Sequence, residues 1–369
     1  MSSATANDRG KLRANGSRGS ARVRAIHRFS VRGRGTRSSA LALGIAWLVP
    51  LAAMGRSSGQ EVLRPLIEPG STQRYEVVTE TTQILRLGEQ RWETRTRQTL
   101  ILERTAGEPN DAGEMWVTFQ PRRLSVEVRT GEDPPITFDS ARDLAEAEPP
   151  GENLSERERG EREGLAAVMG PLSSSSWRIR LDADGEVVAA EPPDLRRFEL
   201  PAALSQSLAY QLDPEHLKSQ AVTELHPFPD RPLRDGDRFR RERVWRLAGF
   251  ERLAAIEECR YVGAAAKDLG DARVLHHATW TYRQPELTSE APEGSESPLS
   301  YDRVRVRRGS GDLWFDAVSR TVVEESRSVE LTATTTLALD EGEIEGEVNW
   351  TLAETRKLLA ADALELDRD

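Results

Sequence analysis

The chain has 369 residues, of which 30% are charged, with a formal net charge of −10, a sequence pI near 5.3 and one cysteine. An acidic surface opposes binding to phosphate backbones and to anionic lipid surfaces, both of which reward clustered Lys and Arg, so nucleic acid is not an expected partner. A lone Cys259 excludes an intramolecular disulfide framework, so a packed core has to hold the fold.

In chain order the first readable element is an export signal. Residues 1–37 carry ten basic side chains against a single acid, Asp8, a net of +9, and residues 40–54 form an apolar run of 15 residues. That run matches a signal h-region and falls short of the roughly 20 residues a membrane helix needs. Ala53 and Gly55 fit cleavage after Gly55, and Ser57 and Gly59 fit cleavage after Gly59. Val31 is placed as an alternative start that would give a compact signal of about 25 residues, within the usual range. No adjacent arginines precede the apolar run and no cysteine stands at the cleavage region just after it, which argues against a twin-arginine route and against lipid attachment. Residues 1–59 are therefore expected to be removed, with membrane contact only if the signal stays uncleaved. With the leader gone, the whole-chain −10 becomes −19 for residues 38–369.

Period-two alternation dominates residues 60–369 and predicts antiparallel strands with one buried face. Tyr75, Val77, Thr79, Thr81, Gln83, Leu85 and Leu87 share one side of a first strand. Trp92, Thr94, Thr96, Leu100 and Leu102 share one side of a second, and Leu87-Gly-Glu-Gln90 supplies the turn. Further strands are predicted at 115–119, 123–129, 177–181, 186–190, 239–247, 252–262, 273–282, 301–307, 312–316, 321–339 and 347–352. Asp182-Ala-Asp-Gly185 resembles the opening of a calcium loop, but it lacks the later acidic ligands and reads as a hairpin turn. Short helices are predicted at 155–169 from a Ser155/Glu158 capping box, from Pro201 to Leu212, from Asp213-Pro214 to Leu225, and over 354–364. Residues 141–163 and 286–300 read as loose, charged segments.

Pro69-Gly70 through Tyr75 and Leu233 through Phe239 open two strand groups in a similar way, and Phe138-Asp139 and Phe315-Asp316 recur within them. This echo predicts either two half-sheets of similar design, 70–200 and 228–357 joined by helices over 201–226, or ordinary turn chemistry used twice. Residues 60–369 are expected to form a single β-rich domain. Tyr75 with its Thr-rich strand, Phe138-Asp-Ser140, Leu181-Asp-Ala-Asp-Gly-Glu-Val187 and the run Pro227 to Phe239 together resemble an uncharacterised family of exported, β-rich bacterial proteins over about residues 70–355. That resemblance implies export and a β-rich fold and transfers no site. Residues 141–163 and 286–300 depart from it.

The motifs that would carry chemistry are mostly missing. His276 and His277 project to opposite faces of a strand and cannot share a metal. Residues 60–369 hold no His-Glu-x-x-His, cysteine pair or phosphate-cradling Gly-rich loop, so no metal and no cofactor is predicted. Glu257-Glu258 and Glu324-Glu325 split across strand faces and read as solvated surface. Ser173 to Ser176 lack an identifiable base. Cys259 is either a nucleophile, an intermolecular bridge or a half-buried strand thiol. Arg303, Arg305 and Arg307 form a basic stripe that either binds an anion or pairs with Glu on a neighbouring strand. No catalytic, cofactor-binding or metal residue is assigned.

The sequence thus predicts an α+β protein of the periplasm or cell envelope, with long twisted antiparallel strands in a curved sheet packed on a few short helices. Such a sheet resembles the architecture of periplasmic lipoprotein carriers. A non-enzymatic binding or scaffold role leads, with an apolar ligand or an envelope protein as partner. The alternatives are a carrier of a lipid, acyl or other apolar ligand, and an envelope hydrolase.

Overall fold

Long alternating segments need partners on both edges, and the chain satisfies nearly all of them in one sheet. A computed structural model describes residues 62–143, 156–198, 212–245, 253–268, 272–283, 299–339 and 342–360. The leader, the helix predicted from Pro201, most of the acidic segment 286–300 and the chain end 361–369 lie outside them.

The strands are β1 (Thr72–Leu87), β2 (Gln90–Ala106), β3 (Met115–Thr130), β4 (Ile136–Asp139), β5 (Trp177–Leu181), β6 (Val187–Glu191), β7 (Arg238–Trp245), β8 (Leu253–Asp268), β9 (Ala272–Arg283), β10 (Leu299–Asp316), β11 (Thr321–Leu339) and β12 (Gly342–Leu358). The helices are α1 (Ser140–Asp143), α2 (Glu156–Ser173) and α3 (Pro214–Leu225). Every strand pairing is antiparallel, in the order β6-β5-β3-β2-β1-β12-β11-β10-β9-β8-β7, with β4 beside β3. The chain thus runs as two meanders whose outermost members join, because β1 pairs with β12 from Tyr75↔Leu358 to Leu87↔Gly346. Two separate half-sheets are therefore not what forms: the sheet is single, curved and unclosed.

The predicted first hairpin forms with Gly88 at φ 58°. Asp182-Ala-Asp-Gly185 is a hairpin turn, with Gly185 at φ 81° and the Asp182 side chain accepting from the backbone N–H of Asp184 and Glu186. The Asp182 carboxylate is thereby committed to the turn.

Four expectations need correction. The strands predicted at 115–119 and 123–129 are one strand, β3, continued across a bulge opposite Ile101 and Leu102. Those at 301–307 and 312–316 are also one, β10, because Gly309 and Gly311 let aromatic rings lie on the backbone. A Cβ at Gly311 would collide with the Ser326 carbonyl oxygen and with the Trp280 ring. The closing helix is strand as far as Leu358, since Glu354 and Arg356 pair in register with Arg327 and Glu325. Part of the segment expected to be loose is helical: its first residues end α1, Ser140–Asp143, and residues 156–163 open α2. Asp143 of α1 also accepts from the backbone N–H of Asp139 and from Arg162, at 2.8 and 2.6 Å.

Helix α3 forms as predicted. Asp213 caps it by accepting from the His216 N–H, Pro214 starts it, and Leu217, Ala221 and Leu225 are buried at four-residue spacing. It packs against both free edges: Ala221 and Leu225 join Val117, Ile179 and Val187 on the β6 side, and the Thr223 hydroxyl reaches the Glu242 carbonyl of β7 at 3.5 Å. A helix therefore occupies the place where strand pairing would have closed the sheet.

Gly311→Ala is expected to cost about 1–3 kcal/mol through overpacking. Gly160→Ala, in α2 where an added Cβ meets nothing within 4 Å, is expected to stabilise by about 0.5–1 kcal/mol. Urea melts of the two variants check the opposite signs.

Candidate functional site

Inward-facing positions of a curved sheet are expected to be apolar, yet here they carry a belt of charge. Along β7, Arg241 and Arg243 share the inward phase with Phe239. Glu257 on β8 shares it with Cys259 and Tyr261, Glu325 and Arg327 on β11 with Val329 and Leu331, and Glu354 and Arg356 on β12 with Leu352 and Trp350. Arg104 of β2 and Tyr75 of β1 continue the belt, and Glu224 enters from α3. Glu257 is 0% and Glu325 3% exposed.

These groups are mutually paired. Arg241 bonds Glu257 and lies 3.4 Å from Glu325; Arg243 lies 2.8 Å from Glu257 and 3.2 Å from Glu325; Arg327 lies 3.1 Å from Glu325 and 3.4 Å from Glu354. The Tyr282 hydroxyl donates to Glu257 at 3.0 Å. In a flat sheet β7 and β11 would stand four strand spacings, about 19 Å, apart. Their direct ion pairs therefore require the inner face to be strongly bowed, and the belt braces that curvature.

A second group adjoins it. Arg356 pairs with Glu224 at 2.6 Å and lies 4.1 Å from the centre of the Tyr75 ring, while Arg104 lies 5.2 Å from the same ring. Arg104 donates to Gln73, which also accepts the Tyr75 hydroxyl at 2.9 Å. Across the two groups five guanidinium groups face four carboxylates among the described residues.

Burial alone would raise the buried carboxylates, but the arginines outweigh it. Glu325 is held at about 2 by Arg327, Arg243 and Arg241, and Glu257 is lowered by Arg241 and Arg243. Burial lowers Arg104, which has no carboxylate within ion-pair distance among the described residues, whereas Glu224 overcomes the same burial at Arg356 and raises it. Carboxylates held ionised and shared between guanidinium groups have no proton to give and are poor bases, so this constellation is built to brace rather than to transfer protons.

The residues singled out in the sequence fall elsewhere or take other roles. Glu257 and Glu325 correct the expectation of solvated surface: the doublets do split across faces, but one member of each is buried in the belt. His276 points inward, with Nδ1 2.5 Å from the Tyr261 hydroxyl; His277 points outward, stacks on Trp314 with centroids 4.1 Å apart, and places Nε2 2.9 Å from Asp312. His216 Nε2 lies 3.0 Å from the Gln220 side chain. The Ser173 and Ser175 hydroxyls donate to the Gly170 and Pro171 carbonyls at 2.9 and 2.6 Å and so finish α2. Arg307 pairs with Glu347 at 3.3 Å, a glutamate of β12 that lies beyond the neighbouring strand β11, so the stripe is charge-paired but not with the adjacent strand; the Arg303 side chain lies outside the described set. Cys259 is 2% exposed, and burial pushes its thiol up to about 12, so it stays protonated at neutral pH. Ellman's reagent is expected to leave the native protein unmodified at pH 8 and to titrate one thiol after denaturation.

Scoring alternation by hydropathy alone misses the belt. The signal that finds it is charged residues in the inward phase: Arg241 and Arg243 in step with Phe239, and Glu325 and Arg327 in step with Val329.

No protein-family model matches the chain, and no curated protein matches it either. Among solved structures it is similar to lipovitellin, from a study titled for its lipid–protein interactions, at 9% identity and a TM-score of 0.39, covering 80% of this chain and 26% of that one. It is similar to an outer membrane channel from Pseudomonas putida F1 at 7% identity, with 80% and 98% covered and a TM-score of 0.20. A DUF1329 family protein from Desulfovibrio piger aligns at 7% identity over 76% and 85%, with a TM-score of 0.13. The chain thus spans about a quarter of the length of lipovitellin. At these TM-scores the likenesses carry no argument about fold or function.

Proposed function

We propose that this chain is an exported cell-envelope protein that acts by binding or scaffolding rather than by catalysis. The observation that carries the reading is the state of its most deeply buried charges: Glu257 and Glu325 are held ionised and saturated by Arg241, Arg243 and Arg327. Such groups set shape. The basic leader and the apolar run at 40–54 support export.

A carrier of an anionic amphiphile is the second reading, favoured by the order of side chains along two strands. The apolar strip of Val329, Leu331, Val348, Trp350 and Leu352 begins two residues beyond Arg327 and Glu354, which sets head and tail chemistry side by side. Most of that strip is already buried, with Leu85, Tyr282 and Val306 packed on it, so a ligand would enter by displacing protein.

Expression with the native leader, followed by fractionation and intact-mass measurement, tests export. The expected product is an envelope-fraction chain beginning at residue 56 or 60. A cytosolic chain retaining its leader would refute export.

A further inference from the structure

The outer face of β7, β8 and β9 carries the opposite of what the composition leads one to expect. In a chain of net charge −10, the register places Arg238, Arg260 and Thr279 in one row across the three strands, and Arg240, Glu258 and Thr281 in the next. All six project away from the buried Phe239, Cys259 and Trp280 side chains. An open cleft of about 630 Å³ lies here, lined by these six residues and by Phe239, Cys259 and Trp280 between them.

The two rows differ chemically. Arg240 has Glu258 at 3.5 Å, whereas no carboxylate among the described residues lies within ion-pair distance of Arg238 or Arg260. Two like charges placed directly opposite on an antiparallel pair cost stability, so this row works against the fold unless something neutralises it. Glutamate opposite Arg238 would have been the stabilising choice.

We propose that the Arg238–Arg260 pair, with the Thr279 hydroxyl, is a binding site for a phosphate group. The donor count favours phosphate over carboxylate. Two guanidinium forks and a hydroxyl offer more N–H and O–H groups than the roughly four lone-pair sites of a carboxylate can accept. A phosphate monoester instead brings three acceptor oxygens and a charge of about −1.5 to −2, matching the two uncompensated cations. The acidic balance of the whole chain disfavours an extended anionic membrane, so the expected source is a soluble phosphate compound.

The test uses the purified full chain at low salt, in vitro, so that its outcome is independent of export. Calorimetric titration with inorganic phosphate is expected to show saturable binding. Binding should weaken about tenfold or more in R238Q/R260Q, a loss on the scale of one charge-assisted hydrogen bond or more. R238K/R260K, which keeps the charge and loses the forks, is expected to fall between them. R305Q/R307Q removes the same charge elsewhere on the outer face and should bind as the unmodified chain does. Thermal melts establish that each variant is folded. Flotation with phosphatidylcholine vesicles containing phosphatidic acid separates the sources. Vesicle binding that R238Q/R260Q abolishes would keep the phosphate site and assign it to a lipid headgroup. Absence of binding to both probes, or equal losses in R305Q/R307Q, would overturn the proposal.

Discussion

Glu325→Ala is expected to lower the free energy of unfolding by about 3–5 kcal/mol, the cost of leaving a buried charge network with one sign uncompensated. Glu325 is contacted by Arg241, Arg243 and Arg327, at 3.4, 3.2 and 3.1 Å, so its removal leaves Arg241 and Arg243 to share Glu257 and Arg327 with Glu354 alone. Glu325→Gln keeps the shape and removes the charge, and is expected to retain most of that loss, which separates electrostatics from cavity formation. Glu93→Gln, at a partly exposed surface site between Arg91 and Arg95, is expected to change stability far less. Urea denaturation of the three variants checks the contrast. Equal, small effects at Glu325 and Glu93 would mean that the belt does not brace the sheet.

Acid is expected to dismantle the same belt. Glu325 has its carboxyl held at about 2 against an ordinary 4.5, and Glu257 is lowered in the same direction. A folded-state value below the unfolded one means that the unfolded chain binds protons first as pH falls. The stabilisation is therefore complete above about 4.5 and is lost progressively as pH falls from there to about 2. For Glu325 alone the loss is about 3 kcal/mol. Unfolding free energy should be flat from pH 7 to 5 and drop steeply below 4.5, with a shallower drop in Glu325→Gln. A decline beginning near pH 6 would place the sensitive group elsewhere.

How legible the fold is depends on whether its signals are local. Alternation marks every long strand, because a half-buried strand must alternate, and Asp213-Pro214 marks α3, because capping is a matter of adjacent residues. The bulge in β3 and the run of β10 through Gly309 and Gly311 are not readable, since each depends on a neighbouring strand: Tyr282 and Trp280 occupy the space that the missing Cβ atoms leave. The C-terminal strand reads as helix because Glu354, Arg356 and Lys357 look like a solvated helix face until Arg327, Glu325 and Glu324 are seen opposite them. The β1–β12 join, which turns two meanders into one sheet, links residues about 260 to 280 positions apart and leaves no local trace. For the same reason the Arg238–Arg260 row is not visible in the sequence, and the belt shows there only as charges in the inward phase, whose partners appear once the register is known.

Native mass spectrometry of the protein recovered from the envelope without detergent, compared with the denatured chain, tests the binding role most directly. That role predicts a noncovalent complex, a chain carrying a partner protein or a small ligand that is lost on denaturation. A bare chain mass, with turnover of an added ester or glycoside substrate that Glu325→Gln abolishes while remaining folded, would contradict it and make the belt an active site.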